Sequence, residues 1–186
     1  MLLVSLFTGI LIGMGAGVNV RTAHQLGAEK TSGSSETVAR TVYSGLIVCL
    51  IIGIILCLVC NIFSRPMLET LKTKDELIES AVLYLKIYAL GMPAMAVYNF
   101  GNGVLSACGE TKKPLVYLSI AGVLNVILNI FFVVVCKKAA DGVAIASVIA
   151  QYLSASMIMC HLLRRKDSCK LRLSNKYFDT SACGGV

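Results

Sequence analysis

Charge is scarce in this chain. Of 186 residues only 27 carry a formal charge, 17 Lys or Arg and 10 Asp or Glu. A soluble domain of that length would hold about a quarter, roughly 46. The shortfall is concentrated. Residues 1–20, 41–64, 87–109, 114–136 and 142–163 contain no Asp, Glu, Lys or Arg, so 112 residues are uncharged block and all 27 charges crowd into the other 74. At 1.5 Å per residue, such blocks make helices of roughly 30–36 Å, the thickness of a hydrocarbon core. Five of them exclude a soluble globular domain, a disordered chain and a secreted mini-protein.

Other absences narrow the function. No positive n-region precedes Leu2-Leu3-Val4, so the first block is not a signal peptide. It reads as an interior helix, and the expectation is that an N-terminal part precedes it. No GxxxxGK[ST] cradle is present, which excludes ATP hydrolysis by that route. The glycines of Gly9-Ile-Leu-Ile-Gly13-Met-Gly15-Ala-Gly17 miss the GxGxxG pattern and read as small residues for close helix packing. Cys57-Leu-Val-Cys60 is followed by Asn61 and by no second cysteine pair, so it fits neither a haem attachment nor a zinc site. Six of the eight cysteines, Cys49, Cys57, Cys60, Cys108, Cys136 and Cys160, lie in apolar blocks and read as small hydrophobes. His24 and His161 lack carboxylates at ligand spacing and read as interfacial; no metal site and no catalytic residue is expected.

What is present has the layout of a polytopic all-α membrane protein. Spans are expected at about 2–20, 41–64, 83–108, 114–136 and 142–163, with an interfacial helix at about 75–86 and a basic tail over 164–186. Thr73 and Glu76 form a capping-box pattern for that interfacial helix, and Leu77, Ile78, Ala81, Val82 and Leu85 form its apolar stripe. Residues 31–35 read as a polar loop, Glu110-Thr-Lys-Lys-Pro114 as a tight turn, and Lys137-Lys-Ala-Ala-Asp-Gly142 as a hairpin between spans. Segments 21–40, 110–113 and 164–186 share one side and carry eleven cations, against six on the other. The positive-inside rule then puts the C-terminus in the cytoplasm and the N-terminus outside, an orientation resting on Arg164-Arg165-Lys166. The net charge of +7 belongs to that topology and not to a nucleic-acid partner.

Polar residues recur on single faces of the spans. Ser119, Gly122, Asn125 and Asn129 share a sector of about 120° on the fourth. Tyr98, Asn99, Asn102 and Ser106 do so on the third, and Ser147, Gln151 and Ser154 on the fifth. Amides in hydrocarbon must find partners, so these faces point into a bundle or a wet cavity. Each residue alone is equally well explained as interhelical hydrogen-bond glue. Three adjacent striped spans favour the cavity. Gly91-Met-Pro93 inside the third span predicts a bend there.

The order and spacing resemble the multidrug and toxic compound extrusion (MATE) family of cation-coupled exporters. Gly17-Val-Asn-Val with Gln25-Leu-Gly27-Ala28 resembles the end of that family's second helix. Tyr84-Leu-Lys-Ile87 with Gly91-Met-Pro93 resembles the lead into its fourth, and Gly109-Glu-Thr-Lys-Lys-Pro114 the cytoplasmic turn after it. Asn125-Val-Ile-Leu-Asn129-Ile-Phe-Phe, then Gly142-Val-Ala-Ile-Ala-Ser147 and Gln151, resembles the fifth and sixth. The likeness covers about residues 10–163.

The resemblance implies helices two to six of the first of two six-helix lobes around a central cavity, with the first helix and the second lobe missing. It implies an antiporter of the plasma membrane exporting drugs or other small amphipathic or cationic substrates in exchange for H+ or Na+, with no other cofactor. Asn99, Asn102, Asn125, Asn129 and Ser147 match cavity-lining positions. Many members have Asp-Pro where this chain has Asn129-Ile130, and an amide cannot take up a proton as a carboxylate does. Alternatives are a lipid-linked oligosaccharide flippase of similar fold, whose lumen would be expected to carry cations absent from these spans, and a non-transporting remnant or subunit. An intramembrane enzyme is disfavoured, since no nucleophile–base pair lies at useful spacing.

Overall fold

The structure, a computed structural model, describes residues 2–32, 35–70, 75–137 and 140–165. Residues 33–34 of the polar loop, Thr73 of the capping box, residues 138–139 of the hairpin and the tail over 166–186 lie outside the described residues. The helices are α1 (Leu2–Ser32), α2 (Ser35–Thr70), α3 (Asp75–Ala89), α4 (Met92–Ala107), α5 (Lys112–Ile130) and α6 (Ala140–Arg164), with a π-helical turn over Phe131–Val135 after α5. No strand occurs among the described residues. Four helical stretches are long and apolar enough to cross a membrane: Leu3–Glu29, Thr37–Thr70, Lys112–Val135 and Asp141–Arg164. The bent pair Leu77–Ala89 and Met92–Ala107 supplies a fifth crossing when its halves are taken as one span. This is an all-α multi-pass membrane protein.

The sequence lets an interfacial helix at 75–86 run into a span at 83–108, whereas the backbone continues α3 to Ala89 and turns 45° before α4. The break is at Leu90–Gly91, whose N–H groups donate to the carbonyls of Ile87 and Tyr88. Pro93 stands in the first turn of α4, where its missing N–H is no loss.

Helix α4 is the hub, packed by α1, α2 and α6. Its contact with α1 is backbone on backbone. A Cβ at Gly103 would collide with the Gly15 carbonyl oxygen, and one at Gly15 would lie 2.7 Å from the Asn99 carbonyl oxygen. Small residues allow that approach, and van der Waals packing then holds helices that gain nothing from hydrophobicity in lipid. One apolar core joins Val38, Val42 and Cys49 of α2 to Phe100, Val104 and Leu105 of α4 and to Ile158 and Leu162 of α6. A second gathers Phe7, Leu11, Cys60, Leu85, Ala89, Met92 and Ala96.

Helix α5 is peripheral: only Pro114 and Ala121 are buried, and Leu115, Val123, Val126 and Ile127 are exposed. Those side chains are suited to lipid. Cys49, Cys57 and Cys60 are free thiols in the packed interior or at its edge. Cys108 departs from the packing reading: it is disulfide-bonded, at the C-cap of α4 where the chain leaves the core.

Candidate functional site

Two of the three polar stripes meet. Where α5 lies along α6 and both pass the end of α3, Tyr88, Leu118, Ala121, Gly122, Asn125, Ser147, Ala150, Gln151 and Ser154 line a cavity of about 230 Å³. The helical repeat brings Asn125 and Asn129 onto one face of α5 and Ser147, Gln151 and Ser154 onto one face of α6. Small Ala121 and Gly122 leave the space between them open.

The polar atoms form a chain across the two helices. The Asn129 amide nitrogen donates to Asn125 Oδ1 at 3.0 Å, the Asn125 amide nitrogen donates to Ser147 Oγ at 3.3 Å, and the Ser147 hydroxyl donates to the Val143 carbonyl at 2.9 Å. Every link points its donor the same way. The chain therefore leaves an acceptor at its head, Asn129 Oδ1, buried and accepting no hydrogen bond among the described residues. Gln151 Oε1 is buried and unmatched in the same sense. A buried acceptor without a donor is costly in a low-dielectric interior. Asn129 Oδ1 lies one helical turn beyond the cavity lining, and Gln151 Oε1 packs against Gly91.

Gln151 also packs against the helix break. Its amide lies over Gly91, where a Cβ would collide with Oε1. The Tyr152 hydroxyl donates to the Leu90 carbonyl at 3.1 Å, satisfying an oxygen that the bend frees from the α3 ladder. The C-terminal end of α3, equivalent to about half a negative charge, thus ends beside the cavity that Tyr88 helps to line.

The α4 stripe does not join this site. Asn99 is buried against Gly15 of α1 and donates to the Met95 carbonyl at 2.9 Å. Asn102 accepts from the Ser106 hydroxyl at 3.4 Å, and the Tyr98 hydroxyl donates to the Pro114 carbonyl at 3.0 Å. Ser119 is exposed and donates to the Leu115 carbonyl of its own helix at 2.9 Å. Tyr88 and Tyr152 were not singled out from sequence. Tyrosine in a membrane helix is ordinary, and only its position beside a glycine break would have pointed to it.

Among the described residues, no Asp, Glu, Lys or Arg lines the cavity. Among the described residues no group of three or more His, Cys, Asp or Glu side chains could hold a metal. Its chemistry is that of neutral amides and hydroxyls, which can ligate a cation or accept N–H donors without transferring a proton.

A family model described as MatE matches residues 1–131. Protein DETOXIFICATION 43 of Arabidopsis thaliana is 33% identical over 122 residues, 62% of this chain and 23% of that protein. Multidrug resistance protein PmpM of Pseudomonas aeruginosa is 33% identical over 125 residues, 67% of this chain and 24% of that protein. A crystal structure described as MATE in the bent conformation superposes with a TM-score of 0.86 at 21% identity, covering 97% of this chain and 40% of that one. At that identity the likeness concerns the fold. The chain spans about a quarter of the length of these curated relatives.

Proposed function

The chain belongs to the MatE family, and on that premise we propose that it forms part of a secondary antiporter exporting drugs or other organic cations across the plasma membrane in exchange for H+ or Na+. One observation carries the reading: the directed chain Asn129–Asn125–Ser147 beside Gln151, headed by the buried Asn129 Oδ1, which accepts no hydrogen bond among the described residues. Such an oxygen favours an ammonium donor or a hard cation, and the C-terminal end of a broken helix favours positive charge. Relatives named for multidrug resistance support the substrate class.

Within this lobe the residues suit a cation held by neutral oxygens. A proton would need a carboxylate, and none lines the cavity among the described residues. Proton coupling, where it occurs, falls to residues outside this cavity. The flippase reading is not favoured, because among the described residues the cavity carries no Lys or Arg for an anionic headgroup. The C-terminal end of α6, with Arg164 and Arg165, is assigned to the cytoplasm by the positive-inside rule.

The test is replacement of Asn125 or Asn129 by Leu in a full-length transporter carrying this segment. Resistance to cationic drugs should fall while the protein stays inserted at normal abundance. Lowered abundance with intact resistance per molecule would mean the amides serve only as interhelical glue, worth about 0.6 kcal/mol per contact.

A further inference from the structure

Glycine is the poorest helix former after proline, so a glycine inside a helix has a reason. In this fold the usual reason is contact. A Cβ at Gly15, Gly53, Gly101 or Gly103 would come within 3 Å of a neighbouring helix, and one at Gly91 would collide with Gln151. Gly109 has another reason, a φ of +80° that side chains rarely adopt. Gly122 has neither. It sits in the regular part of α5, and a Cβ there meets nothing within 4 Å among the described residues. Gly9, Gly13, Gly17 and Gly27 of α1 are equally unobstructed. What sets Gly122 apart is where its open space lies.

That space belongs to the polar cavity. Leu118, Ala121, Gly122 and Asn125 follow one another at helical spacing along one face of α5, and all four line the cavity of about 230 Å³. Bulk falls from Leu118 to Gly122 and returns at Asn125, one turn on, whose amide donates to Ser147. The two helices run antiparallel, with Asn125 beside Ser147 and Tyr117 beside His161, which brings Ala150 of α6 level with Gly122. The cavity is therefore a notch, open where neither helix has more than a methyl group. It is polar at the Asn125–Ser147 end and apolar towards Leu118.

We propose that Gly122 sets the size of the cation that this cavity admits, an inference that rests on the proposed export of cations. The charged centre of the substrate meets the neutral oxygens of Asn125 and Ser147, and its apolar body fills the notch against the bare backbone of Gly122, the Ala150 methyl and Leu118. A side chain at 122 enters that volume without pressing on the fold. It takes room from the substrate and leaves folding alone. Cations whose charge lies inside apolar bulk feel it in proportion to their width.

The probes are tetramethyl-, tetraethyl- and tetrapropylammonium, radiolabelled. Their uptake is measured in inverted vesicles holding a full-length transporter that carries this segment, with H+ and Na+ gradients imposed and rates taken per molecule of transporter. Gly122→Ala and Gly122→Val should not lower abundance or melting temperature. Gly122→Val should cut tetrapropylammonium transport about tenfold and tetramethylammonium transport less than about twofold, because a single methylene of misfit in an apolar pocket discriminates about tenfold or more. Gly122→Cys adds the bulk after folding, once the exposed free thiols Cys136 and Cys160 are replaced. Methyl methanethiosulfonate should then spare tetramethylammonium, benzyl methanethiosulfonate should block the whole series, and neither should act where Gly122 is retained. Equal loss across the series in Gly122→Val would overturn the size gate. A fall in abundance or melting temperature in Gly122→Ala would also overturn it, because another helix of the transporter would then be seated on Gly122. Failure of the unsubstituted transporter to move any of the three ions would contradict the export of cations itself, and the gate with it.

Discussion

Gln151 Oε1 occupies the space where a Cβ on residue 91 would stand. That one contact joins the break between α3 and α4 to the polar face of α6. A proline alone would bend the helix without aiming it. Here the absence of a side chain at Gly91 admits the Gln151 amide, and the Tyr152 hydroxyl takes up the Leu90 carbonyl released by the turn.

The glycines therefore differ in what they tolerate. At Gly91 the obstruction is the far end of a flexible Gln, so Gly91→Ala should shift the amide and lower transport more than stability. At Gly103 the obstruction is the Gly15 backbone, which cannot rotate away. Gly103→Ala should cost about 1–3 kcal/mol, as overpacking does. Gly13 meets nothing within 4 Å, and Gly13→Ala should not lower the melting temperature and should raise stability by up to about 1 kcal/mol through helix propensity. Thermal unfolding of the three variants in one detergent checks the ranking.

Tyr152→Phe removes the donor to the Leu90 carbonyl while keeping the ring. The expected loss is about 0.5–1.5 kcal/mol, the net worth of one hydrogen bond. Unfolding of the variant in detergent measures it, and no change would mean that the carbonyl is satisfied otherwise.

How much of this was legible beforehand depends on what each signal encodes. Charge-free blocks encode length, so the membrane crossings could be read directly. Stripes encode an angle about one helix axis and not the neighbour that the angle meets. Asn125 with Ser147 and Gln151 happened to face each other, while Asn99 turned to Gly15 of α1 on the same kind of evidence. The bend was readable from Gly91-Met-Pro93, but not that the Gln151 amide, sixty residues later, packs against it. Glu110 read as part of a turn, because nothing local announces that Lys113, His161 and Arg165 converge on it. The π-helical turn over Phe131–Val135 has no residue signature at all.

Glu110 gives the protein a pH dependence of definite sign. The hydrogen bond from Lys113 holds its carboxyl below the usual carboxylate range, with partial burial opposing and the charges of Arg165, Lys113 and His161 assisting. A depressed acid stabilises the fold above its unfolded pKa and loses that contribution as pH falls through the folded one. The tie between the turn after α4 and the end of α6 should loosen only below the ordinary carboxylate range. Glu110 is partly exposed, so the effect is that of a surface pair, about 1 kcal/mol or less. Melting temperature against pH should fall more steeply in the native chain than in Glu110→Gln, which should already sit near the acid-limit value at neutral pH.

The central claim is that the face carrying Gly122, Asn125 and Ser147 meets water while the rest of α5 meets lipid. Accessible area alone would rank Val123 and Ile127, at 62% and 57% exposed, above the half-buried Asn125. A water-soluble thiol reagent separates the two environments. It should be applied to single Cys variants at 122, 123, 125, 127 and 147 of the full-length transporter in membranes, with native cysteines replaced. The account predicts labelling at 122, 125 and 147, slowed by a cationic substrate, and protection at 123 and 127. Uniform protection at all five, or labelling at 123 and 127 equal to that at 125, would contradict it.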